Sequence, residues 1–170
     1  ILIACEGFNG TVCGTENAVT KLLEILEQLL KISDMEVKYS WTEKQAFRRF
    51  KARKKKEIVT IGLQQINPTK SVGKYIKATE WNQFLKDPDS VVIDTRNEYE
   101  IKIGNFEGAL NPHTSSFREF PAWVKKHLKP LIKENPSLKI GMYCTGGIRC
   151  EKATSYLIDE GFSHVHHPVS

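Results

Sequence analysis

The sequence predicts two unlike halves. Residues 1–66 read as an α+β half, and residues 79–170 as an α/β half with a mostly parallel sheet. Three observations predict this. The first half runs strand, turn, helix, strand, strand. The second alternates short apolar runs with helical periods. Between them, residues 67–78 hold Pro68 and Gly73 and no period, as a linker does.

The elements follow in order. Ile1 to Cys5 is a β-rich run, Asn9-Gly10 is a turn signal, and Thr11-Val12-Cys13 reads as a return strand. From Asn17 to Ile32, Val19, Leu22, Leu23, Leu26, Leu29 and Leu30 recur at helical spacing, which predicts a helix with one buried face, capped by Thr15. Val37, Tyr39 and Trp41 alternate, so 35–41 is predicted as a strand, and Ile58, Val59 and Ile61 predict another over 56–62. Past the linker, Thr79 caps a helix whose buried face holds Trp81, Phe84 and Leu85, and Pro88 ends it. Val91-Val92-Ile93 and residues 138–143 are continuous apolar runs, as expected of strands covered on both faces. Helices are predicted over 121–133 and 150–160, the latter ended by Gly161, with a last strand over 162–166. Trp41, Trp81 and Trp123 are expected in the core.

Charged residues make up 26% and hydrophobic residues 40%, the balance of a soluble globular chain. No apolar run approaches the roughly 20 residues of a membrane span, and no leader pattern follows Ile1. A chain opening on Ile-Leu-Ile without methionine reads as a fragment. Cys5, Cys13, Cys144 and Cys150 show neither zinc-type spacing nor the density of a secreted disulfide framework, so free thiols in the cytoplasm are expected. His164, His166 and His167 have no complementary ligand cluster and read as a polar strand end; no metal site is expected.

The net charge of +5 is local. Lys44, Arg48, Arg49, Lys51, Arg53, Lys54, Lys55 and Lys56 include no acidic neighbour, and without these eight the chain would carry −3. Such a run suits a polyanion, with Lys and Arg on phosphates. Phe47 and Phe50 lie within it. They suit either stacking on bases or the core, and the core is the expectation.

The chemistry centres on Cys144. The run 139–143 delivers this thiol to the carboxyl end of a predicted parallel sheet, where open α/β sheets bind ligands. Thr145, Gly146, Gly147 and Ile148 turn the chain into the next helix, with amides able to form an anion-binding nest. The helix N-terminus and Arg149 add positive charge, and all three effects favour the thiolate. Cys150 admits two roles, a resolving thiol that exchanges with Cys144 or a residue packed on the sheet. Asp94 and Arg96 follow a buried strand and are expected to brace the loop and cap the next helix.

The run Cys144 to Arg149 resembles the six-residue active-site loop of the rhodanese family. Residues 92–100, with Asp94, Arg96 and an acidic helix start, and residues 103–112, with Gly104, Gly108 and Ala109, resemble that family's upstream motifs in the right order. Asn105 departs from a His common near that position. A phosphatase loop of the same Cys-to-Arg logic would be one residue longer. Residues 6–11, the basic strand ending at 57–60, residues 111–121 and Cys144 to Lys152 resemble the tRNA uridine hydroxylase branch of the family. That resemblance implies a ferredoxin-like first half, here without an initial strand and helix, and a rhodanese-like second half. It implies oxygen-dependent formation of 5-hydroxyuridine at the tRNA wobble position, with molecular oxygen as co-substrate and no other cofactor evident. In these roles Cys144 would carry covalent sulfur chemistry, Arg149 would hold an anion or the thiolate, and the basic run would hold tRNA. The alternative is a sulfurtransferase that takes sulfur from thiosulfate or a persulfide donor onto Cys144.

Overall fold

Leu2-Ile3-Ala4 forms strand β1 (Leu2–Ala4), and the chain reverses into β2 (Gly7–Asn9), antiparallel to it with Ile3 opposite Phe8. The reversal falls at Cys5-Glu6 and not at Asn9-Gly10, because Gly7 supplies the positive φ of 140° that closes the turn. Helix α1 (Glu16–Leu30) follows its predicted period, with Thr15 at the N-cap position and Lys31 left-handed at its end. Strand β3 (Arg53–Lys54) lies parallel to β1, giving a three-stranded mixed sheet in the order β2-β1-β3.

These elements belong to the first of two compact units, Ile1–Lys55, in a computed structural model that describes residues 1–33 and 35–169. None of the described residues of this unit is buried. Of the expected buried face of α1, Leu29 is exposed, and Ile25 on the same helix is exposed too. Residues 35–41 form no ladder, since alternation makes a strand only where a partner edge meets it; Tyr39 and Trp41 are exposed, Trp41 by 82%. Phe47 and Phe50 are exposed too, so the expectation that they face a core is overturned, as is that for Trp41.

The second unit is Lys56–Ser170. Residues 56–62 form a turn instead of a strand: the Glu57 carboxylate accepts the amides of Ile61 at 3.1 Å and Gly62 at 3.2 Å. Ile61 and Ile66 are 2% and 3% exposed in this unit's core. That burial moves the boundary from residue 66 to the junction after Lys55. The expected linker also contains a strand, β4 (Lys74–Ile76).

Next come α2 (Ala78–Lys86), β5 (Ser90–Asp94) and the short α3 (Glu98–Ile101). Lys77, not Thr79, holds the N-cap of α2, and its amide donates to Glu80 at 3.1 Å. A 3₁₀ turn (Phe117–Glu119) leads into α4 (Phe120–Trp123), a π-helical turn (Val124–Leu128) and α5 (Lys129–Glu134). Pro130 has no N–H for the carbonyl one turn back, and the chain ahead of it widens accordingly. Strand β6 (Lys139–Tyr143), helix α6 (Ile148–Asp159) and strand β7 (Val165–Pro168) complete the unit. The four strands are all parallel, in the order β4-β7-β6-β5.

Alternation along the strands feeds both faces. Ile93, Ile140 and Met142 join Phe120, Val124, Leu128, Tyr156 and Leu157 on one side. Val92 and Tyr143 join Ile76, Trp81 and Phe84 on the other. Gly141 lets α2 lie close, since a Cβ there would stand 2.5 Å from the Phe84 ring. Burying this apolar area, at about 25 cal/mol per Å², is the main force holding the sheet between its helices. Among the described residues, no helix is long and apolar enough to cross a membrane.

Candidate active site

Register places the site. Asp94 pairs with Tyr143 across β5 and β6, so both strands end level and Thr95 and Cys144 leave the sheet side by side. Cys144 is half-buried and sits at the mouth of the turn that starts α6. Of the two glycines, Gly147 needs the left-handed conformation, with φ 76° at the N-cap of α6. Gly146 has open space where a Cβ would stand, which leaves the mouth of the turn unobstructed.

The thiol of Cys144 is held well below its ordinary value, down to about 6. A hydrogen bond from the Cys150 thiol contributes most. Burial opposes it, and the amides of Cys150 and Gly146 and the charge of Arg149 add to it. Cys150 is pushed the other way, above the usual thiol range, by burial and then by the neighbouring Cys144. It is 1% exposed, and its sulfur lies 3.7 Å from Thr95 Oγ1, which itself donates to the Tyr143 carbonyl at 2.9 Å. The arrangement pairs a nucleophilic thiolate with a buried S–H that supports it. Both cysteines are free thiols here, as is Cys13.

Arg149 does not point into open solvent. Its Nη1 and Nη2 each donate at 2.7 Å to the two carboxylate oxygens of Glu100. Thr145 Oγ1 donates to the same carboxylate at 2.5 Å and accepts from Arg149 Nη2 at 3.1 Å. Arginine so placed holds the Glu100 carboxyl down at about 2, against the opposing effect of burial and with help from Thr145 and the Asn97 amide. Burial works against the Arg149 charge, and Glu100 outweighs it, so the guanidinium stays above its ordinary value.

Asp94 and Arg96 form a second pair. Arg96 Nη2 meets Asp94 Oδ2 at 2.7 Å and the Gly104 carbonyl at 2.6 Å. Tyr143 donates to Asp94 at 2.6 Å, and its hydroxyl accepts the Phe106 amide at 3.2 Å. Burial and then Asp94 push the Tyr143 phenol up to about 12. This pair therefore anchors the 103–110 segment to the strand ends.

The predicted loop residues Cys144, Thr145, Gly146, Gly147, Ile148, Arg149 and Cys150 are thus gathered in one turn. Thr95 and Glu100 are functional neighbours that sequence reasoning missed; only the acidic helix start hinted at the second. Lys44, Arg48, Arg49, Lys51, Arg53, Lys54, Lys55 and Lys56 are all exposed, with Arg53 and Lys54 on edge strand β3. His166 and His167 lie in β7, and His167 is fully buried with its ring 4.2 Å from that of Tyr75, so the polar strand-end reading fails for it.

Comparison with known proteins adds two family matches. Residues 1–58 match a UPF0176 acylphosphatase-like domain, and residues 77–167 match a rhodanese-like domain. A tRNA uridine(34) hydroxylase of Prochlorococcus marinus (strain NATL2A) is 84% identical over 167 residues, which is 98% of this chain and 52% of that protein. A tRNA uridine(34) hydroxylase of Synechococcus sp. (strain CC9605) is 55% identical over 172 residues, covering 98% of this chain and 53% of the relative. The chain spans about half the length of the curated relatives it matches. A solved structure from Rhodopseudomonas palustris, described as a protein of unknown function and possible tyrosine phosphatase, aligns with a TM-score of 0.49 and 23% identity. It covers 59% of this chain and 76% of its own, a likeness too low to carry activity across.

Proposed function

This chain belongs to the rhodanese-like family, and from that premise we propose that it serves a tRNA-modifying enzyme that hydroxylates the wobble uridine to 5-hydroxyuridine. Molecular oxygen is the co-substrate, and the reaction takes place in the cytoplasm. Cys144 is the reacting thiol. Arg149 stabilises the thiolate, and the amides of the 145–149 turn hold the group that approaches it. The eight exposed basic residues between Lys44 and Lys56 bind tRNA phosphates, positioning the substrate without reading its sequence.

The observation that carries this reading is the 84% identity, over nearly the whole chain, to a tRNA uridine(34) hydroxylase. The site supports it independently, since a thiol with its value lowered to about 6 is mostly thiolate at neutral pH. The same thiolate favours a second reading. Its sulfur would attack the outer sulfur of thiosulfate or of a persulfide donor. A persulfide then forms on Cys144, and sulfite or the donor thiolate leaves.

The test is mass spectrometry of tRNA nucleosides from cells that lack the full-length protein. The cells are complemented with the wild type or with Cys144→Ala. Return of 5-hydroxyuridine with wild type alone is the expected result. If the nucleoside was never lost, or returns with neither, the hydroxylase reading fails and the sulfurtransferase leads.

A further inference from the structure

The sequence presents Glu100 as an ordinary acid in the first turn of α3. The fold brings its carboxylate to the mouth of the Cys144 turn. There it engages both Nη atoms of Arg149 at 2.7 Å, accepts Thr145 Oγ1 at 2.5 Å, and is oriented by the Asn97 amide at 3.0 Å. Each side chain of the ion pair is only 16% exposed. A guanidinium bound by two parallel bonds to a carboxylate has that face filled and its charge offset. Asp94 and Arg96, at the end of the adjacent strand, likewise offset each other. Among the described residues, what faces a reactant at Cys144 is therefore a thiolate, the amides of Gly146 and Cys150 and a buried S–H, and the cation beside them, Arg149, is already paired.

We propose that Glu100 is a specificity-determining residue that, by pairing with Arg149, makes the Cys144 turn favour uncharged reactants over small anions. The favoured class is a neutral electrophile or an uncharged base such as uracil. The disfavoured class is small oxyanions such as thiosulfate and phosphate, which the turn would attract if Arg149 were released. The inference shares with the proposed function the assignment of Cys144 as the reacting thiol, and it does not depend on tRNA.

The experiment alkylates the full chain with iodoacetamide, which is neutral, and with iodoacetate, which is an anion. The rate at Cys144 is followed by peptide mass spectrometry. Both reagents lose iodide to the same sulfur, so their rate ratio cancels changes in thiolate fraction and in the amount of folded protein. Glu100→Gln keeps the size and the hydrogen-bonding atoms and removes the charge. The iodoacetate-to-iodoacetamide ratio should rise roughly three- to tenfold, the effect of one unit charge released a few ångström away in a partly wet site. In Glu100→Gln/Arg149→Gln the ratio should return to the wild-type value. An unchanged ratio in the single variant overturns the proposal. So does a rise that survives in the double variant, because the effect would then not run through Arg149. If the ratios behave as expected but 5-hydroxyuridine is not restored in cells, the tRNA reading falls and this one stands.

Discussion

The two units treat their apolar residues in opposite ways. In Lys56–Ser170, apolar side chains from both faces of a parallel sheet are covered by helices, and even Lys152 is drawn in, 3.3 Å from Glu57. In Ile1–Lys55 no described residue is buried, and Trp41, Phe47 and Phe50 share the surface with the basic run. The difference bears on where each proposed role would reside. A reactive thiol needs a packed frame, because its hydrogen bonds and its lowered proton affinity depend on fixed geometry. A phosphate-binding surface needs only exposed charge.

The contrast can be broken at several points. The largest effect is expected for Asp94→Asn, which leaves Arg96 facing a neutral group in a site where Asp94 is 0% exposed. A loss of about 3 kcal/mol is expected in urea denaturation followed by tryptophan fluorescence. Glu36→Gln, which removes an exposed pair with Lys38 in the first unit, should cause no measurable change. Equal losses in the two variants would end the distinction.

Glycine substitutions come next. Gly141→Ala drives a methyl into the rings of Phe84 and Trp81 and should destabilise by about 2 kcal/mol in the same assay. Gly14→Ala meets only Ala18 and Val19 at ordinary contact distances and should be tolerated.

A smaller effect tests the sulfur pair. The alkylation rate of Cys144 should fall tenfold per pH unit below about 6 and level off above it, since only the thiolate reacts. Cys150→Ala removes the main stabilising hydrogen bond and should raise that inflection by about one unit, toward the ordinary thiol value near 8.5. An unmoved inflection means that the amides and Arg149 suffice. The smallest effect is expected for Arg49→Ala, which should weaken tRNA binding about threefold and reduce the salt slope by about one. Affinity that does not depend on salt would remove the RNA role of the basic run.

Much of the second unit was legible in the sequence because its signals are local. Val91-Val92-Ile93 and the run to Tyr143 have the apolar continuity of buried parallel strands, and Cys144 with Gly147 marks the turn between strand and helix. Glu100 was not legible as a partner, because its contact with Arg149 spans 49 residues of chain and only the strand register brings the two together. Ile58, Val59 and Ile61 look like a strand by composition, yet residues 56–62 turn on Glu57 and Ile61 enters a core whose other members lie downstream. Val37, Tyr39 and Trp41 alternate correctly but meet no partner edge, and alternation alone cannot supply one.

Ile61 and Ile66 bear on how this protein is trimmed for study. The rhodanese-like match begins at residue 77, and cutting there would look natural from the sequence. It would also pull two plugs from the hydrophobic interior, leaving holes beside the helix that follows the reactive thiol. An excised piece meant to keep its chemistry should start among the exposed basic residues ahead of Glu57, where tryptic sites are dense and Ile61 and Ile66 are both kept.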